Sequence, residues 1–228
     1  MQTKALEDVT VLDFSHLLQG PFATQLLADM GANVLKVERP GAGDLFRSIT
    51  FRNKWLGETR ESPSFLAWNR NKRSLAIDLK APEARDILYR IAADVDVVVQ
   101  NFRPGVMERM GFGYEDFRKI NPRIIYCSGS GYGTSGPYLS RPGQDMLIQG
   151  LTGLAAATGR GDGPPVPVGS GFADQVGAMN MRLAAGAPTK LAALLDGVLQ
   201  IEPRGGDGDR GGAHHGVVQL AHRQRAHQ

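Results

Sequence analysis

Three cations, Arg39, Lys80 and Arg103, stand just past short apolar runs that read as strands. Arginine forks and lysine point charges in such places suit an anionic, phosphate-bearing ligand. Solvated surface cations are the equal alternative. His16 follows the run VTVLDF and reads either as a general base or ligand contact, or as a hydrogen-bonded structural histidine. Leu18 and Gln19 share its connection, Asn101 and Phe102 precede Arg103, and Arg109 lies further on. Two carboxylates complete the set. Asp145, in RPGQDMLIQG, precedes an apolar helical run and reads as a helix-start residue. Asp174, in GSGFADQVGAMN, sits where a Gly/Pro-rich segment gives way to a helix-compatible run, and capping is its first reading. The lone Cys127 lies inside an apolar strand, which suits a small buried residue better than a nucleophile.

The elements that must position these residues alternate. VTVLDF is a strand, PFATQLLADMG a helix with Pro21 in its first turn and Gly31 at its stop, and ANVLKVE a second strand. RSLAIDL, the helix PEARDILYRIAADV, the continuously apolar DVVVQNF, a helical stretch after Pro104 and RIIYCSGSG continue the rhythm. Such alternation predicts an α/β fold, a Rossmann-like doubly wound parallel sheet. Ligands of such sheets bind beyond the carboxyl ends of the strands, where the cations and His16 fall. The first strand ends in FSHLLQGP rather than GxGxxG, so a nicotinamide or flavin fingerprint is absent. Gly129 to Gly133 follow a strand with no helix-like run behind them and read as a mobile surface loop.

Composition excludes several classes. With 26 basic and 23 acidic residues the charge is too balanced to argue for nucleic acid. No apolar run approaches the length of a membrane span. One cysteine and an N-terminus without a signal-peptide core suit a reducing cytoplasm. Four of the five histidines crowd the last 15 residues with no carboxylate or cysteine scaffold, so compositional bias explains them better than a metal tract. All 16 aromatic residues fall at or before Phe172; the Gly/Arg/His-rich end has little apolar surface to offset ordering, and reads as disordered.

Six ordered blocks, LDFSHLLQGPFATQLLADMGANVLKVERPGAGD, NRNKRSLAIDLK, VVVQNFRPGVMERMGF, NPRIIYCSGSGYG, GQDMLIQGLTGL and GFADQVGAMN, together resemble the class III CoA-transferase family. The likeness covers about residues 5–181. It implies a Rossmann-like large domain, acyl-CoA and a carboxylic acid as substrates with no permanently bound cofactor, and an interlocked homodimer. Asp174 matches the family's catalytic carboxylate, which forms an anhydride with the donor acyl group and then a thioester with CoA. A carboxylate is already ionised at neutral pH, and a helix N-terminus favours that charge. For CoA the matching positions are His16, Leu18, Gln19, Arg39, Ile77 to Lys80, Asn101, Phe102, Arg103, Arg109 and Pro142 to Asp145. Leu18 and Pro142 depart from formyl-CoA transferase.

Two rivals stay open. The 2-methylacyl-CoA racemases resemble the transferases but carry His–Asp where this chain has Gln144-Asp145, and Gln cannot accept and return a proton at neutral pH. The other rival is a non-catalytic CoA-binding fragment. Family members are nearly twice this length and continue into a small domain. The expectation is a large-domain part over 1–181 and a divergent tail over 182–228, replaced out of frame or by an error of gene prediction.

Overall fold

The computed structural model describes residues 4–49, 62–186 and 218–220. The apolar runs form one sheet, ordered β3-β2-β1-β4-β5-β6. Its strands are β1 (Thr10–Asp13), β2 (Asn33–Glu38), β3 (Arg73–Ala76), β4 (Val97–Gln100), β5 (Ile125–Gly129) and β6 (Val218–Leu220). The first five run parallel and β6 pairs antiparallel with β5. This is the expected doubly wound α/β sheet, and its order reverses between β1 and β4. RSLAIDL is a strand over its first four residues only.

β4 is buried at all four positions, as a continuous apolar run requires of a strand covered on both faces. On one face Val11, Val97 and Val99 pack under α1 (Gln19–Asp29) and α8 (Phe172–Gly186), which brings Ala178, Met181 and Ala185. On the other, Leu12, Val37 and Val98 meet α3 (Pro82–Ala92), α4 (Val106–Met110) and α5 (Tyr114–Ile120) through Leu88, Met107 and Phe117. α2 (Pro63–Asn69) lies beside α1, and α6 (Asp145–Leu151) and α7 (Leu154–Thr158) lead to α8. α1 begins ahead of Pro21, which stays in the first turn where its missing N–H costs nothing. Gly31 stops it at φ +107°, with the Lys4 side chain against its open face. α8 runs past Met181 to Gly186. Apart from Val218–Leu220, the rest of the tail expected to be disordered, with its histidines, lies outside the described residues. Among the described residues no helix is long and apolar enough to cross a membrane.

A buried ionic network ties the carboxyl ends of β1 and β2 to the amino-terminal part of β3. Lys36, on β2, is 1% exposed; its Nζ donates to the Ser15 carbonyl at 2.7 Å and lies 2.9 Å from Asp44 Oδ2. Asp44 Oδ1 accepts from the backbone N–H groups of Phe46 and Leu17. Asp13 accepts from Ser15, from Thr24 Oγ1 at 2.6 Å and from Lys72 Nζ at 3.1 Å. Lys72 spends its other protons on Pro21 O and Asn69 Oδ1. Glu38 takes both arms of the Arg47 fork, the Ser74 hydroxyl and the Asp44 N–H. Burial raises the Asp13 pKa, but Lys72, Lys36 and the Ser15 and Thr24 hydroxyls outweigh it and hold it at about 2. For Glu38 burial is likewise outweighed, by Arg47, Ser74 and the Asp44 N–H, again to about 2. Burial pulls Lys72 down to about 8, against the attraction of Asp13, so it remains mostly charged at neutral pH.

Removing one member of a buried pair strands the other charge. Lys36→Met is therefore expected to lower the unfolding free energy by about 3–5 kcal/mol, read from urea denaturation. Both carboxylates have folded pKa values below their ordinary 3.8 and 4.5. Their contribution is present above those ordinary values and is lost as pH falls through about 2. The urea midpoint, followed downward from neutral pH, should begin to fall as the ordinary carboxylate range is entered.

Candidate active site

The loops after β1 and β4 meet where the strand order reverses, the place at which open parallel sheets bind ligands. The His16 N–H donates to Asn101 Oδ1 at 2.8 Å, and Asn101 Nδ2 donates back to the His16 carbonyl at 2.8 Å. The His16 ring stands edge-on to Phe102 at 5.1 Å between centroids. Burial, then Lys36, lowers the His16 pKa, so the imidazole is neutral at physiological pH. Leu17, next in the loop, is held at φ +65°, a region costly for a branched side chain. The Asp44 carboxylate fixes its N–H at 3.2 Å.

Two cavities open on either side of this junction. One, of about 830 Å³, is lined by His16, Arg39, Ile77, Lys80 and Phe102 among others. The other, of about 250 Å³, is lined by Leu18, Gln19, Asn101, Phe102, Arg103, Asp145 and Asp174 among others. Phe102 lines both, so the expected binding positions fall into one continuous region of the surface. Arg109 is the exception: it is exposed on α4, with its guanidinium beside Gly105, and lines neither cavity.

Asp174 sits in the first turn of α8 rather than at its cap. The cap position falls on Gly171, whose carbonyl accepts from the Gln175 N–H at 2.9 Å. The Asp174 N–H, one of the turn's orphan donors, goes instead to Asp145 Oδ1 at 3.1 Å. Asp145 does start α6, as its sequence setting suggests, but its side chain reaches across to α8. A helix N-terminus alone would keep Asp174 at or below the ordinary carboxylate range. Burial, reinforced by the Asp145 charge, instead raises it to about 6. The carboxylate is thus still mostly ionised at neutral pH.

Residues 129–133 also differ from expectation. They pack against the segment before α6: a Cβ on Gly131 would overlap Gly143, and one on Gly143 would overlap Gly131. Two side-chain-free backbones touch there, and that contact sets Asp145 opposite Asp174. The Gln19 side chain is wedged between Gly177 of α8 and Gly129 of β5. Arg141 lines the smaller cavity as well, its guanidinium 4.3 Å from the Tyr138 ring centroid. Sequence reasoning missed Arg141, Lys36 and Asp44; a lysine inside an apolar strand run was the available signal for the buried pair. Cys127 is fully buried and burial pushes its thiol up to about 12, so it is not a nucleophile.

Comparison with known proteins finds relatives of the chain. The family model described as CoA-transferase family III matches residues 6–196, running on past the boundary expected near 181. The chain is 48% identical over 173 residues to succinyl-CoA:glutarate CoA-transferase of Mus musculus, covering 75% of this chain and 38% of that protein. It is 39% identical over 217 residues to formyl-CoA:oxalate CoA-transferase of Rhodopseudomonas palustris, covering 87% and 48%. The crystal structure of a CAIB/BAIF family protein from Brucella suis superposes with a TM-score of 0.79 at 36% identity, covering 86% of this chain and 51% of that one. The chain thus spans about half or less of the length of these relatives.

The glycine contact generates a test. Gly131→Ala should cost about 1–3 kcal/mol through overpacking and lower the thermal midpoint. Gly161→Ala, where a Cβ meets nothing within 4 Å, is the control expected to leave it unchanged.

Proposed function

Because the chain belongs to CoA-transferase family III, we propose that it supplies the nucleophile and the CoA-binding surface for moving CoA between an acyl-CoA and a carboxylic acid. The observation that carries this reading is Asp174 itself, an ionised but proton-hungry carboxylate on the wall of the switch-point cleft. CoA would lie across the Asn101–His16 junction. Its phosphates would meet Arg39 and Lys80 in the larger cavity, and its thioester would enter the smaller one beside Asp174.

In the proposed reaction an Asp174 oxygen attacks the thioester carbonyl carbon. The C–S bond breaks, CoA leaves as its thiolate, and an aspartyl–acyl anhydride remains. The thiolate then attacks the Asp174 carbonyl carbon, releasing the donor as a carboxylate and leaving an aspartyl-CoA thioester. The acceptor carboxylate attacks that thioester, expelling the thiolate and forming a second anhydride. Attack of the thiolate on the acceptor's acyl carbon yields the new acyl-CoA and restores Asp174. Every step is acyl transfer between carboxylate oxygen and sulfur, so no separate general base is required. The raised pKa suits the attack, because a more basic carboxylate is a better nucleophile while still ionised at pH 7. The names of the relatives point to succinyl-CoA or formyl-CoA as donors and small dicarboxylic acids as acceptors for the first tests.

The test is mass spectrometry of the protein after incubation with succinyl-CoA or formyl-CoA. A CoA-sized adduct, removed by hydroxylamine and absent from Asp174→Ala, is expected. Adduct formation should rise with pH around a midpoint near 6, since the group must be deprotonated to attack. α-Carbon deuterium exchange without an adduct would replace this reading with racemisation, and CoA binding with neither would reduce it to a binding module.

A further inference from the structure

Asp174 is held by a line of hydrogen bonds that no step of the proposed reaction uses. Gln149, on α6, is completely buried. Its Oε1 accepts from the Val168 N–H at 2.7 Å, and its Nε2 donates to Asp145 Oδ2 at 2.6 Å. Asp145 Oδ1 accepts from the Asp174 N–H at 3.1 Å. Three bonds thus run from the segment ahead of α8, through α6, and back to the first turn of α8.

The direction of this line is not free. Val168 presents a backbone N–H, which only the amide oxygen of Gln149 can meet, so the amide nitrogen must face Asp145. Asp145 is then met by a donor at each oxygen. Each oxygen acts as an acceptor, one toward α6 and one toward α8.

We propose that Gln149 and Asp145 are positioning residues for Asp174. Gln149 locks Asp145 as a double acceptor, and Asp145 fixes the head of α8 while its charge keeps the Asp174 carboxylate electron-rich. This rests on Asp174 being the nucleophile. Of the charged groups lining the same cleft, Asp145 comes from α6, Arg103 from the loop after β4, and Arg141 from the segment before α6. α1 and β5 present Gln19 and Gly129, which do not titrate. After burial itself, Asp145 is the group that raises the proton affinity of Asp174.

The pair is tested without turnover by 13C NMR of the full chain labelled at aspartate carboxyl carbons, with the Asp174 signal identified by its loss in Asp174→Asn. A midpoint near 6 is expected for the native chain. Asp145→Asn keeps an acceptor for the Asp174 N–H, loses the one that Gln149 Nε2 uses and removes the charge, and should lower that midpoint by about one unit. Gln149→Met keeps the volume and removes both amide bonds; the Asp174 amide should then exchange about 10-fold faster while amides of α1 keep their protection. An unchanged midpoint in Asp145→Asn, or unchanged exchange in Gln149→Met, would overturn the proposal. Either result would leave the nucleophile reading standing, and a missing CoA adduct would sink that reading while these two readouts still judged the relay.

Discussion

A lysine ammonium with almost no exposed surface is the constraint on which the rest of this molecule depends. Lys36 enters the sheet interior on β2 and must satisfy a full charge there. It does so with the Ser15 carbonyl from the loop after β1 and the Asp44 carboxylate from the loop after β2. Those two contacts dictate where both loops go. Asp44 in turn captures the Leu17 N–H, holding that residue in a left-handed conformation that costs about 1–3 kcal/mol and persists only where surroundings over-determine it. The strained loop delivers His16 to Asn101, and the two carboxyl-end loops become one ligand-facing edge.

The same economy governs the far side of the cleft. Gly131 and Gly143 touch backbone to backbone, which brings the start of α6 against the head of α8. Asp145 crosses that gap, and Asp174 lies in a half-buried environment with one fixed negative neighbour. A cationic rim at Arg39, Lys80 and Arg103 thus faces a cleft whose inner end holds two carboxylates. A molecule with phosphates at one end and an electrophilic carbonyl at the other would match that gradient of charge.

Much of this was legible in the sequence because it is written in local pattern. Apolar runs of strand length, broken by helices with Pro near their starts, imply parallel pairing, and strand-end residues mark the ligand edge; the order of the strands is not written there. The unread parts are long-range. Lys36 looks like an ordinary outward residue of ANVLKVE unless its partner in the following loop is known. Gly131 and Gly143 look like flexible punctuation, and nothing local says that they touch. Asp174 reads as a cap because composition cannot distinguish a cap from a first-turn residue. Its pKa then followed from the helix terminus alone, whereas burial and Asp145 decide it. Gln149 lies four residues after Asp145, but nothing local says that its amide also meets Val168.

The central claim is that one continuous cleft, built by the Lys36 network and closed by the Asp145–Asp174 contact, orients a CoA thioester toward Asp174. A crystal structure of the chain with a non-hydrolysable acyl-CoA analogue tests it most directly. The account predicts phosphates between Arg39 and Lys80, the pantetheine chain crossing beside Asn101 and Phe102, and the acyl carbonyl carbon about 3–3.5 Å from an Asp174 oxygen. An analogue bound away from this edge, or lying along it with its acyl end pointing away from Asp174, would contradict it.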